Sequence, residues 1–159
     1  MKTDDAQSLM RQAIRLSLEK MDQGQGGPFG AVIALEGRII SEGYNQVTSQ
    51  NDPTAHAEIV AIRRACETLN TFSLAGCDIY TSCEPCPMCL SAIYWARIDQ
   101  IYYANTRQDA AMIGFDDEFL YREVSIPLEH RQIPTIRLLE HEAMAAFEAW
   151  TNKPDKIRY

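Results

Sequence analysis

Two short segments rich in metal-ligating side chains lie far apart in the sequence, and they constrain the fold because one ion would have to join them. The first is His56-Ala57-Glu58, and in the second Cys86 and Cys89 enclose a Pro-Met pair. Cysteines three positions apart share one face of a helix, and the positive end of the helix dipole helps to hold them as thiolates. Two thiolates and one imidazole are typical of catalytic zinc sites. The sequence therefore predicts one zinc ion per chain, held by His56, Cys86 and Cys89.

Glu58 offers a carboxylate beside this predicted site. In a regular helix the Glu58 side chain would point almost opposite to that of His56. It can approach the metal only because these residues lie at the end of the helix, where regular geometry begins. Three protein ligands leave a fourth tetrahedral position for water. Glu58 can then accept a proton from that water, pass it to a ring nitrogen of the substrate and later protonate a departing amine. This set of residues indicates hydrolytic deamination, with Glu58 as the catalytic acid and base.

A closed structural zinc site is the alternative interpretation, in which Cys83 is a fourth ligand and no position remains for water. That interpretation leaves Glu58 without a role, and it describes a zinc-stabilised binding module without catalysis. Cys83 lies on the strand side of Pro85, where it can equally be a small buried hydrophobe. The coordination number of the metal separates the two interpretations.

Length and composition limit the class of protein. A chain of 159 residues that is 46% hydrophobic is expected to form one domain over residues 1–159. No apolar run approaches the roughly 18 residues that cross a bilayer, and no secretory core follows the N-terminus. We therefore expect a cytoplasmic protein with no membrane partner and with reduced cysteines. The formal net charge of −7 would repel a polyanion, so nucleic acid is not an expected partner.

The spacing of apolar residues predicts helices over residues 6–16, 57–69, 84–96, 107–113 and 143–150. Asp52 or Thr54 is available to cap the second of these helices, which places His56 and Glu58 in its first turn. Trp95 suits either a pocket wall or the core, and the core is favoured. Strands are predicted over residues 29–35, 38–44, 77–82, 99–104 and 131–138, and the first two form a hairpin. Strands that alternate with helices after a hairpin favour one mixed sheet covered on both faces. The predicted fold is α/β with about five strands.

The pattern His-x-Glu followed by Pro-Cys-x-x-Cys is the signature of zinc-dependent nucleobase deaminases. On this pattern, and on residues 26–31, 81–86 and 114–117, the chain resembles the cytidine deaminase superfamily over nearly its whole length. The chain is most similar to the small bacterial guanine deaminases. This similarity lies in residues 51–58, the Pro-Met pair and Gly114-Phe115-Asp116-Asp117. The resemblance implies a cytidine-deaminase-like three-layer sandwich. It also implies conversion of a small purine, guanine, to xanthine and ammonia.

The resemblance also implies substrate contacts. Asn45 would contact the base, although it can be an ordinary turn residue. Phe29 suits stacking on a planar base, and it equally suits the core of the sheet. Asp116 and Asp117 would accept hydrogen bonds from guanine N–H groups, while the alternative is that they cap the following helix.

Guanine deaminases can exchange a C-terminal segment between the subunits of a dimer, where it lies over the partner's pocket. The resemblance therefore implies a homodimer in which a segment of about residues 140–159 is exchanged and Tyr159 helps to close the site. A packing helix with a frayed end is the alternative for this segment. The rival activity is that of a tRNA adenosine deaminase, which would need a basic groove. The acidic balance disfavours it, although the tail contains a basic group of Lys153, Lys156 and Arg158.

Overall fold

The computed structural model describes residues 3–159, with side chains from residue 5 onward. The described residues up to Asp117 form one compact unit, and Glu118–Tyr159 form a second. Within residues 3–159, no helix is long and apolar enough to span a membrane.

The first unit contains the predicted hairpin and the helices and strands that follow it. In chain order its elements are α1 (Thr3–Asp22), β1 (Gly30–Leu35), β2 (Arg38–Tyr44), α2 (Val47–Gln50), α3 (Ala57–Leu69), β3 (Cys77–Cys83), α4 (Pro87–Trp95), β4 (Gln100–Asn105) and α5 (Arg107–Met112). The short helix α2 is not among the helices predicted from the sequence.

The sheet of the first unit is mixed, with strand order β2-β1-β3-β4. β1 pairs antiparallel with both β2 and β3, and β3 pairs parallel with β4. The β1–β2 turn places Glu36 at φ 51° and Gly37 at φ 80°, as a type I′ hairpin requires. Because β3 and β4 run in the same direction, Cys83 and Asn105 lie side by side at their carboxyl ends. Open α/β sheets commonly form their sites at such an edge.

Helices cover both faces of this sheet, which confirms the predicted three layers. On one face α1 packs against β1 and β3 through Leu9, Ala13, Leu16, Val32, Ala34 and Tyr80. On the other face α3 and α4 pack against the same strands through Ala31, Ile33, Ala57, Ala61, Ala65, Ile79 and Ile93. A Cβ on Gly43 would overlap the carbonyl oxygen of Ala57, so glycine is required where β2 meets α3. This close contact fixes the start of α3 against the sheet.

The second unit contains α6 (Glu118–Ser125), a 3-10 turn at Leu128–His130 and α7 (Glu140–Asn152). The strand predicted over residues 131–138 is wrong, so the described sheet has four strands where about five were predicted. Pro134 lacks the N–H that a strand ladder needs. Ile133 and Ile136 are 79% and 77% exposed, so the apolar residues of this segment do not form a buried face. Trp95, predicted in the core, is also exposed.

Candidate metal and catalytic site

Three ligand atoms come together beside the carboxyl end of β3. The ligand atoms of His56, Cys86 and Cys89 all lie within 4.8 Å of one another. The Nδ1 atom of His56 is 3.6 Å from Sγ of Cys86 and 3.5 Å from Sγ of Cys89. Tetrahedral zinc with Zn–S near 2.3 Å and Zn–N near 2.0–2.1 Å places nitrogen and sulfur about 3.5–3.6 Å apart. The described residues therefore have the spacing that a zinc ion needs.

His56 reaches this cluster because it lies just outside α3. It is the N-cap residue, with extended backbone at φ −68° and ψ 157°. The predictions that Asp52 or Thr54 caps the helix and that His56 lies in its first turn are wrong. The Asp52 side chain bonds within its own turn, since its Oδ1 accepts hydrogen bonds from both the amide and the hydroxyl of Thr54. Capping preference alone therefore misplaced the helix start, because such side chains also stabilise turns.

The two cysteines lie at the start of α4, Cys86 just before the helix and Cys89 in its first turn. Cys86 is the N-cap residue, with φ −65° and ψ 167°, and Pro87 is the first helical residue. The predicted start at Glu84-Pro85 is therefore two to three residues too early. Proline suits this position because its missing N–H has no helical partner there. The helix N-terminus favours negative charge on the sulfur atoms.

The two neighbouring thiols shift each other's pKa in opposite directions. The pKa of Cys86 is lowered to about 4, first because Cys89 donates a hydrogen bond to its thiolate and also because His56 lies beside it. The pKa of Cys89 is raised, first because its proton is held by Cys86 and also because it is buried near Glu58. The hydrogen bond with Cys86 raises the pKa of His56. Zinc ligation would release the proton of the Cys89 thiol, because a ligating thiol is deprotonated.

Glu58 lies in the first turn of α3 and is only 6% exposed. Its Oε2 atom is 3.5 Å from Sγ of Cys89, and its Oε1 atom is 3.2 Å from Oγ1 of Thr81. Burial raises the pKa of this carboxyl because the charged form loses its hydration. The extended backbone at His56 lets the imidazole and the Glu58 carboxyl reach the same place. A buried acid thus stands next to the ligand set without being part of it.

Cys83 lies outside the ligand set. Its Sγ atom is 3.6 Å from the carbonyl oxygen of Thr106, to which the thiol donates. Burial and the neighbouring Glu58 raise the pKa of this thiol to about 11. Among the side chains that the structure describes, the cluster therefore has three protein ligands, which does not support the closed four-ligand alternative.

Asn45 follows β2 and is 7% exposed. Its Oδ1 atom accepts hydrogen bonds of 3.2 Å from the backbone amides of Gly27 and Val47. These two bonds fix the orientation of the amide, and they leave its N–H₂ group as the end available for another partner. A Cβ at Gly26 would overlap the carbonyl of Asn45, so the loop needs glycine to approach this closely.

Phe29 contacts the segment that follows α5, which also contains the acidic pair. The ring of Phe29 is half-buried and packs edge-to-face with the ring of Phe115. The ring centroids are 4.9 Å apart and the ring planes are at 90° to each other. Asp117 is half-buried, and its pKa is raised by burial and by the charge of Cys86. Asp116 is exposed. The structure thus separates two aspartates that the sequence treats alike. Tyr159 belongs to the second unit and is 71% exposed.

Two residues that contact this site were not predicted from the sequence. Thr81 bonds to Glu58, and Phe115 covers the edge of Phe29. Alternation along β3 could have placed Thr81 on the same face as Ile79, which packs against α3. No sequence pattern signals the contact of Phe115 with Phe29, because it joins a loop after α5 to the start of the sheet.

Comparisons with known proteins show which proteins the chain is similar to. Residues 3–105 match the zinc-binding region of cytidine and deoxycytidylate deaminases. Over 153 residues the chain is 50% identical to the guanine deaminase of Bacillus subtilis (strain 168), covering 96% of this chain and 98% of that protein. The X-ray structure of guanine deaminase from Bacillus subtilis superposes with a TM-score of 0.94 at 49% identity, covering 100% of this chain and 99% of that one.

A tRNA-specific adenosine deaminase from Aquifex aeolicus is 42% identical over 95 residues, which cover 60% of this chain and 62% of that protein. Similarity to the guanine deaminase thus extends through almost the whole chain, and similarity to this tRNA deaminase covers only part of it. The superposition confirms the predicted α/β fold.

Proposed function

Because the chain belongs to the cytidine and deoxycytidylate deaminase family, we propose that it is a zinc-dependent aminohydrolase that converts guanine and water to xanthine and ammonia. The observation that carries the proposal is the position of the Glu58 carboxyl, 3.5 Å from one sulfur of a ligand set already spaced for zinc. The choice of guanine rests on the similarity to a guanine deaminase over nearly the whole chain.

His56, Cys86 and Cys89 would hold the metal. When bound, zinc lowers the pKa of a coordinated water to about 7, so that a nucleophile is available at neutral pH. Glu58 takes one proton from the attacking water and delivers it to a ring nitrogen of the base. It then takes the second proton from the new C2 hydroxyl and passes it to the amine, which leaves as ammonia when the C2–N bond breaks. Its burial favours the protonated carboxyl, which suits a group that must hold a proton between two transfers.

Asn45, Phe29 and Asp117 would bind the base. The N–H₂ group of Asn45 suits a ring acceptor, because its oxygen is already bonded to two backbone amides. Phe29 supplies an aromatic ring, and Asp117 supplies a carboxylate for N–H donors of guanine. Asp117 is the better candidate of the aspartate pair, since it is half-buried whereas Asp116 is exposed.

N45D separates the recognition of the base from the structural role of Asn45. Aspartate keeps an oxygen for Gly27 and Val47 but replaces the N–H₂ donor with a second oxygen. We expect KM for guanine to rise between about 5- and 150-fold, since an unsatisfied polar group in a closed site costs about 1–3 kcal/mol. Steady-state kinetics measure KM, and elemental analysis checks that zinc content is unchanged.

N45A is the comparison for this variant. It also removes the acceptor for both backbone amides, so its melting temperature should fall below that of N45D. Wild-type KM in N45D would place recognition of the base elsewhere.

We also propose a cytoplasmic homodimer in which the C-terminal segment is exchanged and Tyr159 lies over the partner's pocket. The support comes from the second unit, whose apolar side chains remain accessible to a partner. Met144, Phe147 and Trp150 on α7 are 47%, 69% and 42% exposed. All five cysteines are free, which suits the reducing cytoplasm.

Deletion of residues 156–159 tests the role of the tail. We expect guanine turnover to fall, because the deletion removes Tyr159 and with it the proposed exclusion of water. Zinc content and melting temperature should change little. K156A is the matched control, since it removes the bond from Lys156 to the carbonyl of Thr151 but retains Tyr159. Full turnover by the truncated protein would remove Tyr159 from the site.

The activity itself is tested by ammonia release from guanine, guanosine, adenine, cytosine, cytidine and tRNA in parallel. We expect ammonia from guanine in an amount equal to the xanthine formed, and far less from the other five. Preferential deamination of tRNA would overturn the proposal in favour of a tRNA deaminase.

A further inference from the structure

We propose that Thr81 is a positioning residue that orients the Glu58 carboxyl for proton transfer. Its Oγ1 atom lies 3.2 Å from Oε1 of Glu58, and the residue is only 1% exposed. The inference rests on the proposed function, since Glu58 carries the proton there. It adds a residue that belongs neither to the ligand set nor to the substrate contacts.

Thr81 is held rigidly by its place in the sheet. It lies near the end of β3, a central strand, and is in register with Ala31 of β1 and Tyr103 of β4. Its branched Cβ restricts rotation about χ1. The hydroxyl is also fixed from a second direction, because Oγ1 donates to the carbonyl of Cys83 at 2.9 Å. A hydroxyl held this rigidly can fix the position of the longer and more flexible Glu58 side chain.

The Thr81 hydroxyl can form a hydrogen bond with Glu58 in both protonation states of the carboxyl. A threonine hydroxyl has one proton and two lone pairs. When the proton points to Cys83, a lone pair of Oγ1 can accept from a protonated Glu58. When it turns to Glu58, it can donate to the carboxylate. Rotation of one O–H bond thus serves both states, and no heavy atom has to move.

Cys89 cannot supply this support once it binds metal. In the described part of the chain, Thr81 and Cys89 are the side chains within hydrogen-bond distance of the Glu58 carboxyl. A ligating thiol has lost its proton and has none to donate to Oε2. Thr81 therefore becomes the remaining side-chain partner of the acid, and catalytic groups lose rate when they are displaced by even about 1 Å.

T81V removes the hydroxyl with little change in shape. We expect kcat for guanine to fall about 10-fold or more because Glu58 is no longer held in one orientation. KM should stay within about 2-fold, and so should the affinity for xanthine measured by equilibrium dialysis, since Thr81 does not touch the base in this assignment. Zinc should remain at one per chain. T81S, which retains a hydroxyl, should recover most of kcat.

S41A is the matched control for the loss of a buried hydroxyl. Ser41 donates to the carbonyl of Ala61 in α3 at 2.7 Å and does not bond to Glu58. S41A should lower the melting temperature but leave kcat unchanged. If T81V does not fold, T81C is measured instead, since a thiol is a weak donor of similar size.

Wild-type kcat in T81V or T81C would overturn the inference. It would also be overturned if T81S were as impaired as T81V, or if kcat fell only in proportion to lost zinc. A wild-type chain that does not deaminate guanine would instead contradict the proposed function, so the two failures are distinguishable.

Discussion

E58Q is expected to lower guanine turnover at least about 100-fold while zinc content and fold remain intact. Glutamine has nearly the same shape as glutamate, but its amide cannot take up and deliver a proton. Glu58 is outside the set of metal ligands, so the substitution leaves the three ligand atoms in place. Its Oε1 oxygen can still accept from Thr81. Measured kcat, zinc per chain and melting temperature should therefore separate activity from metal binding.

E84Q is the matched control for E58Q. The Glu84 carboxylate accepts a hydrogen bond of 3.1 Å from the amide of Arg107, and glutamine retains an oxygen for this contact. E84Q should change guanine turnover far less than E58Q does. An E58Q variant with nearly full activity would remove Glu58 from the role of proton carrier.

C86A is expected to lose most of the zinc and, with it, guanine turnover. The substitution removes one of three ligands and leaves too few protein donors for a stable tetrahedral site. C83A should retain zinc, because the Cys83 thiol bonds to the carbonyl of Thr106 and lies outside the cluster. Elemental analysis of the two purified variants measures the difference. Loss of zinc from both variants would support the closed four-ligand site.

Residue types and spacing were sufficient to select His56, Glu58, Cys86 and Cys89 from the sequence. Their approach to one another could not be derived in the same way. His56 meets the sulfur atoms because its backbone is extended before α3, whereas the helical pattern placed it inside the first turn. The competing turn at Asp52 and Thr54 gives no periodic signal, so the capping residue was misassigned.

Tertiary contacts account for the other differences. The apolar residues between 131 and 138 predict a strand, but a strand also needs a partner for its hydrogen bonds. Trp95, the last residue of α4, follows the apolar pattern of that helix and is nevertheless 65% exposed. Asp116 and Asp117 are identical in type, and only their burial in the structure distinguishes them.

The most direct measurement is the titration of metal-free protein with zinc while guanine turnover is followed. We expect activity to rise in proportion to bound zinc and to reach its maximum at one zinc per chain, with xanthine and ammonia formed in equal amounts. Full turnover of guanine by the metal-free protein would contradict the proposed mechanism. So would binding of one zinc per chain without formation of xanthine.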